Sequence, residues 1–189
     1  FDNGKKTSIG LIGNYAQEKI INNFGNRFYS GEMKSAYTNL ILNSQVGTPF
    51  HNISTGLSYR YEWIDESILE NDFFRAEQVP GAFFEYTLNY RKKWLVQAGI
   101  RGDYNTIFGF FATPRLHVRY NPTNKTSLRV AAGRGQRTST IIAENMGILA
   151  SSREILISSN NQNAAYGLTP EVSWNYGASL TQFFFPGDK

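Results

Sequence analysis

The sequence predicts an all-β fold: an antiparallel transmembrane β-barrel, present as a segment of about eight up-and-down strands of a larger barrel. Three observations predict it. Apolar and polar residues alternate along eight stretches of the chain, which is the side-chain period of a strand. Tyrosine and tryptophan collect at both ends of the apolar faces. The opposite faces are polar, whereas a soluble barrel keeps apolar groups inside.

Composition limits the other classes of protein. The chain has 189 residues, of which 41% are hydrophobic, 18% charged and 15% aromatic. The net charge is +4, but the Lys and Arg residues are scattered, so no nucleic-acid partner is expected. The absence of cysteine excludes disulfides and thiolate metal sites. No apolar run approaches the roughly 18 residues of a transmembrane helix, whereas a barrel strand needs only about 9–11 residues.

The first four stretches are residues 7–17, 35–43, 52–64 and 82–90. Each places apolar residues at alternate positions, as a strand with one apolar face requires. The apolar faces carry Ile9, Leu11 and Tyr15; Ala36, Thr38, Leu40 and Leu42; Ile53, Thr55, Leu57, Tyr59, Tyr61 and Trp63; and Ala82, Phe84, Tyr86, Leu88 and Tyr90. The segments between them, 18–33 and 65–79, are predicted to be long polar connections.

The later strands are predicted over residues 94–103, over the two arms of the hairpin 110–136, and over 172–182. Their apolar faces carry Trp94, Val96, Ala98 and Ile100; Leu116, Val118 and Tyr120; Leu128, Val130 and Ala132; and Val172, Trp174, Tyr176, Ala178 and Leu180. The hairpin turns at the polar stretch 121–125. Residues 138–170 show no strong period, and no helix is predicted; stretches such as 153–157 stay open between strand extension and short helical turn.

The predicted connections sort by length. Those at 45–51, 91–93 and 121–125 are short, those at 18–33, 65–79 and 138–170 are long, and only 104–109 breaks the pattern. Short turns on one rim and long loops on the other are typical of outer-membrane barrels. The lumen side is predicted to be wet or filled by a polar plug, since only Phe83 and Leu95 are apolar there.

From Thr113 onward the sequence carries a series of short motifs: Pro114-Arg115, Tyr120-Asn121-Pro122, Ser127-Leu128-Arg129, Gly133-Arg134-Gly135-Gln136-Arg137, Ala143-Glu144-Asn145, Ala150-Ser151-Ser152-Arg153-Glu154 and Leu168-Thr169-Pro170-Glu171 leading into Val172-Ser173-Trp174-Asn175-Tyr176. With these motifs the chain resembles the barrel of TonB-dependent outer-membrane receptors, particularly those of Bacteroidota. The resemblance implies a barrel of about 22 strands with a plug. It also implies small-molecule cargo such as siderophore-bound iron, haem, cobalamin or glycans, and uptake driven by the TonB complex.

We therefore expect residues 1–189 to be a partial outer-membrane barrel in contact with lipid, from which the plug domain and the remaining strands are absent. Two alternatives stay open. One is a self-contained eight-stranded outer-membrane protein with a structural or adhesive role. The other is a soluble ligand-binding β-domain.

Two groups of residues are candidates for function. The loop 138–170 supplies candidates for cargo binding, because exposed loops often carry binding residues: Glu144, Asn145, Arg153 and Glu154. The lumen face supplies candidates for contact with a plug or with anionic cargo, or for a plain inter-strand ladder with Glu62, Glu85 and Asp103: Arg60, Arg101, Arg115, His117, Arg119 and Arg129. No cofactor, metal or catalytic site is predicted, since neither His51 nor His117 has suitable neighbours and no G-x-S-x-G motif occurs.

Overall fold

The computed structural model describes residues 6–69, 71–151 and 165–184. It contains one eight-stranded antiparallel sheet whose strands lie side by side in chain order, which confirms the predicted up-and-down architecture. The strands are β1 (Thr7–Phe24), β2 (Arg27–Gln45), β3 (His51–Ile68), β4 (Asn71–Tyr90), β5 (Trp94–Asn105), β6 (Gly109–Thr123), β7 (Thr126–Arg137) and β8 (Glu171–Gln182).

In the described ranges, helical structure occurs in the segment between β7 and β8 alone. It comprises α1 (Ile141–Glu144) and two 3₁₀ turns, Met146–Ala150 and Ala165–Gly167. Among the described residues, no helix has the length and apolarity needed to cross a membrane.

The strand register aligns the apolar residues in continuous rows. Leu40 lies opposite Leu57, and Val118 lies between Val96 and Val130. This side of the sheet is called the apolar face, and the other the polar face. Among the described residues nothing covers the apolar face, and Leu57 is 63% and Val130 57% exposed. A surface so large and so apolar requires a partner other than water.

Aromatic side chains lie near both ends of the apolar face, as predicted. At the rim formed by the turn 91–93 (the lower rim), Trp94 stacks on Tyr120 with ring centroids 4.1 Å apart. Toward the opposite, upper rim, Tyr59 lies opposite Pro80 on β4. The ten residue-to-residue steps from Pro80 to Tyr90 span about 33 Å, or about 25 Å along the normal of a strongly tilted barrel, which is the height of an outer-membrane apolar band.

The prediction of long connections at 18–33 and 65–79 is wrong. β1 and β2 stay paired up to Phe24 and Arg27, and β3 and β4 up to Ile68 and Asn71. Gly25, at φ +63°, supplies the left-handed conformation that the tight turn after β1 requires. The upper ends of β1–β4, residues 18–24, 27–34, 65–68 and 71–79, are called the extensions, and they form the upper rim. Within the described residues the long connection of this rim is the segment between β7 and β8.

The sheet is open. Each strand pairs with the next from β1 to β8, and β1 does not pair with β8. A self-contained eight-stranded barrel would need that pairing, so the sheet is a segment of a larger barrel instead.

Candidate functional site

Three of the predicted lumen arginines are engaged by carboxylates of the wall itself. Arg101 donates from Nε and Nη2 to Asp103 Oδ2 and Oδ1 at 2.7 and 2.6 Å. Arg115 Nη2 lies 2.6 Å from Glu85 Oε2. Arg60 Nη1 lies 3.4 Å from Oε1 of Glu62, two residues further along β3. Only the contact of Arg115 with Glu85 joins two different strands, as an inter-strand ladder requires; the other two pairs lie within one strand. The role of these arginines stays a prediction.

The lower half of the polar face differs. Arg119 and Arg129 lie directly opposite each other on β6 and β7, and neither has a carboxylate partner among the described residues. The Nε atom of Arg119 is buried without a hydrogen-bond partner there. His117 lines the same groove, a cavity of about 520 Å³. Positive charge without a described counter-charge therefore collects near the lower rim.

At the upper rim, the segment after β7 folds back over the polar face of the β1–β4 extensions. This segment, residues 138–151 with 165–167, is called the lid. Its Leu149 packs into a buried cluster with Tyr29, Ile68 and Phe73 of the extensions. Burial under the lid explains why the extensions carry their apolar residues on the face that is polar lower down.

A buried ion pair fixes the start of the lid. Arg75 Nε lies 2.8 Å from Glu77 Oε1, as an ion pair and not as an aligned hydrogen bond. The two side chains are only 6% and 1% exposed. Arg75 Nη1 also donates to the carbonyl of Ser139 at 3.0 Å, and Glu77 Oε2 accepts from Thr138 Oγ1 at 3.1 Å. Asn105 Nδ2 of β5 donates to the same carboxylate at 2.8 Å.

A second buried carboxylate fixes the end of the lid. Glu66 is 2% exposed and accepts hydrogen bonds from Tyr29 Oη, at 2.8 Å, and from Tyr166 Oη of the lid. Burial, followed by the hydrogen bond to Glu66, raises the pKa of both phenols above the ordinary value. Both tyrosines therefore stay protonated at physiological pH and act as donors.

Glu144 and Asn145, two predicted cargo residues, lie in the lid and contact the lid itself and the end of β7. The carboxylate of Glu144 accepts two hydrogen bonds from Arg137, from Nη1 to Oε1 at 3.1 Å and from Nη2 to Oε2 at 3.0 Å. Hydrogen bonds from Thr140, and then Arg137, hold the pKa of the Glu144 carboxyl below its ordinary value. Asn145 Nδ2 donates to the carbonyl of Ile141 at 2.8 Å. Their role toward cargo stays a prediction.

Arg153 and Glu154, the other two predicted cargo residues, lie outside the described residues. The buried groups Glu66, Arg75 and Glu77 were missed by sequence reasoning. One signal was present: Phe73, Arg75, Glu77 and Val79 alternate with the period of a strand whose inner face is covered.

A family model described as TonB dependent receptor-like, beta-barrel matches residues 1–189. The chain belongs to this family of TonB-dependent receptors. It is accordingly a protein of the bacterial outer membrane, with the apolar face toward lipid. The upper rim, which carries the lengthened strands β1–β4 and the long segment between β7 and β8, is the extracellular one, and the lower rim lies toward the periplasm. The family consists of receptors and transporters. Its Bacteroidota subtype stays a prediction.

Solved structures show the same fold. The chain is similar to the siderophore receptor PirA from Pseudomonas aeruginosa, with TM-score 0.58, 13% identity and coverage of 94% of this chain and 36% of that one. For the siderophore receptor PirA from Acinetobacter baumannii the TM-score is 0.54 and the identity 11%, and the match covers 94% of this chain and 30% of that one. For a mutant of the ferric enterobactin receptor PfeA from Pseudomonas aeruginosa the TM-score is 0.56 and the identity 13%, and the match covers 70% of this chain and 23% of that one. The chain thus spans about a quarter to a third of these receptors, and no curated protein matches it significantly.

Proposed function

We propose that this chain forms part of the wall of a receptor that imports a scarce nutrient across the outer membrane, powered by the TonB complex. A ferric siderophore is the foremost cargo, because the solved structures with the same fold are siderophore receptors. Haem and cobalamin are the other cargo classes in the proposal. The family membership and the polar inner face support it.

The proposal includes a plug domain and further barrel strands outside residues 1–189. The plug is proposed because Arg119 and Arg129 lie directly opposite each other on the inner face. Like charges directly across a strand pair destabilise a sheet. A carboxylate of a plug seated in the lumen would neutralise both guanidinium groups. The arginines higher in the wall already have wall carboxylates, so the lower pair, beside His117, is the proposed seat of the plug.

The lid is the proposed first contact for cargo. It lies over the inner face at the extracellular end, in the path of a molecule that enters the barrel. Glu144, Asn145, Arg153 and Glu154 belong to the segment between β7 and β8 and are the proposed cargo residues. Since Glu144 and Asn145 hold the local lid fold, cargo contact would act together with a change in the lid.

Uptake by the full-length protein in its own host tests the proposal. Cells that lack the gene should lose accumulation of a radioiron-labelled ferric siderophore, and dissipation of the proton-motive force should abolish it in the wild type. Replacing Arg119 and Arg129 with Glu should reduce uptake to about a tenth, because the charge reversal repels the plug carboxylates.

The matched control is Lys19→Glu with Lys34→Glu, which reverses two charges on the outer side of the extracellular extensions. Its uptake should equal that of the wild type at equal receptor abundance in the outer membrane. Uptake of none of the three cargo classes, or uptake independent of the proton-motive force, would contradict the proposed function. Normal uptake by the arginine variant would remove the proposed seat of the plug.

A further inference from the structure

The turn between β4 and β5 carries three consecutive cations, Arg91, Lys92 and Lys93. The amide of Lys93 donates to the carbonyl of Tyr90 at 3.0 Å, which closes a β-turn with Arg91 and Lys92 at its two central positions. Arg91 and Lys92 have φ values of 50° and 58°, in the left-handed region where glycine and asparagine are favoured. Cationic side chains therefore occupy positions at which the backbone favours other residues.

The neighbouring strand holds this turn in place. The backbone amide of Asn121 donates to the carbonyl of Lys93 at 2.8 Å. Its side-chain Nδ2 donates to the carbonyl of Lys92 at 2.9 Å. The carbonyls of Lys92 and Lys93 thus both accept hydrogen bonds from Asn121, which hold this side of the turn against β6.

Two of these cations lie against rings of the lipid-facing aromatic belt. The guanidinium carbon of Arg91 is 5.1 Å from the ring centroid of Tyr90, and Lys93 Nζ is 5.8 Å from that of Tyr120. Tyr120 in turn stacks on Trp94. Tyrosine and tryptophan of such belts lie at the level of lipid headgroups, so the cations lie at that level too.

The described acidic residues lie away from the lower rim, where the three cations of the turn are located. Within the described ranges, the carboxylate closest to this turn along β4 is Glu85, which faces the lumen and is paired with Arg115. The remaining described carboxylates belong to the middle of the wall, the extracellular extensions, the lid and the upper end of β8. The described part of the periplasmic rim therefore offers a phosphate no competing anion.

We propose that the turn 91–93 binds the phosphodiester of an anionic phospholipid, of the phosphatidylglycerol or cardiolipin class, in the periplasmic leaflet. Arg91 and Lys93 supply the charge-assisted donors, and the belt of Tyr90, Trp94 and Tyr120 contacts the glycerol and upper acyl region. The contact of the cations with lipid-facing rings favours a lipid over free phosphate. The rings that Arg91 and Lys93 contact face lipid, so the proposal does not depend on which cargo the receptor takes.

Native mass spectrometry of the full-length protein, released from nanodiscs of equal phosphatidylglycerol and phosphatidylcholine, tests this. The wild type should retain phosphatidylglycerol about tenfold over phosphatidylcholine, since each interfacial cation contributes a several-fold preference. Arg91→Gln with Lys93→Gln should bring the ratio near one. The control Lys19→Gln with Lys34→Gln removes two cations at the extracellular end and should leave the ratio unchanged.

Heat-modifiable migration of the barrel verifies that each variant is folded. Equal retention of both lipids by the wild type, or an equal loss in the control, would overturn the proposal. Displacement of the lipid by millimolar inorganic phosphate would overturn it as well, because the turn would then be a site for free anions.

Discussion

Replacing Glu77 with Ala is expected to destabilise the lid and the β3–β4 extension by about 3–5 kcal/mol, because it leaves the guanidinium of Arg75 buried without its counter-charge. Thr138 and Asn105 lose their acceptor in the same step. Hydrogen exchange of the amides in β4 and in the start of the lid measures the free energy of local opening. The lid segment of the variant should also become a site of protease cleavage on intact cells.

Glu32→Ala is the matched control for this prediction. Glu32 also pairs with a cation, Lys34 at 2.9 Å, but both side chains are about one-third exposed. Exposed pairs of this kind contribute about 0–1 kcal/mol. If the two variants opened the extension to the same extent, the buried pair would not be what holds the lid.

The second large effect concerns the lipid-facing wall. Leu116→Arg is expected to cost about 2–4 kcal/mol near the bilayer midplane, because it places a charge in hydrocarbon. Leu116 lies between Ala98 and Ala132 in the apolar rows. Reversible unfolding of the full-length protein in lipid vesicles gives the free energy of unfolding relative to the wild type.

Gln97→Arg supplies the opposite expectation on the adjacent strand. Gln97 faces the lumen and donates to Glu85 Oε1 at 3.1 Å, so an arginine there retains a carboxylate within reach. We expect a change below about 1 kcal/mol. Equal costs at the two positions would contradict the assigned facing of the strands.

Alternation along each strand was enough to predict the wall. In β6, Leu116, Val118 and Tyr120 face one side, and the pairing with β5 and β7 is what this pattern implies. The extensions could not be predicted in the same way. There Tyr29, Ile68 and Phe73 face the lumen side, since Leu149 of the lid, distant in sequence, covers them. The lid, whose sequence shows no strand period, covers the lumen side of the extensions, and this cover is why apolar residues lie there.

The candidate site was predictable to the extent that its contacts are local. Arg101 and Asp103 alternate on one strand, so their pairing follows from the strand period. The contacts of Glu66 with Tyr29 and Tyr166 join three distant segments, and only the tertiary fold brings them together. Glu144 was singled out as a loop residue, but its proximity to Arg137 depends on the helical turn of α1, which no sequence period indicated.

The central claim is that hydrocarbon lies against the apolar face and the lumen against the polar face. Residues 1–189 contain no cysteine, so a single cysteine introduced among them is the one labelling site within this part of the wall. In lipid vesicles, labels at Leu116 and Val118 should be relaxed strongly by oxygen, which concentrates in hydrocarbon, and shielded from a water-soluble nickel complex. A label at His117 should be relaxed less by oxygen than either of them. Oxygen accessibility at His117 equal to that of its two neighbours, or higher, would contradict the account.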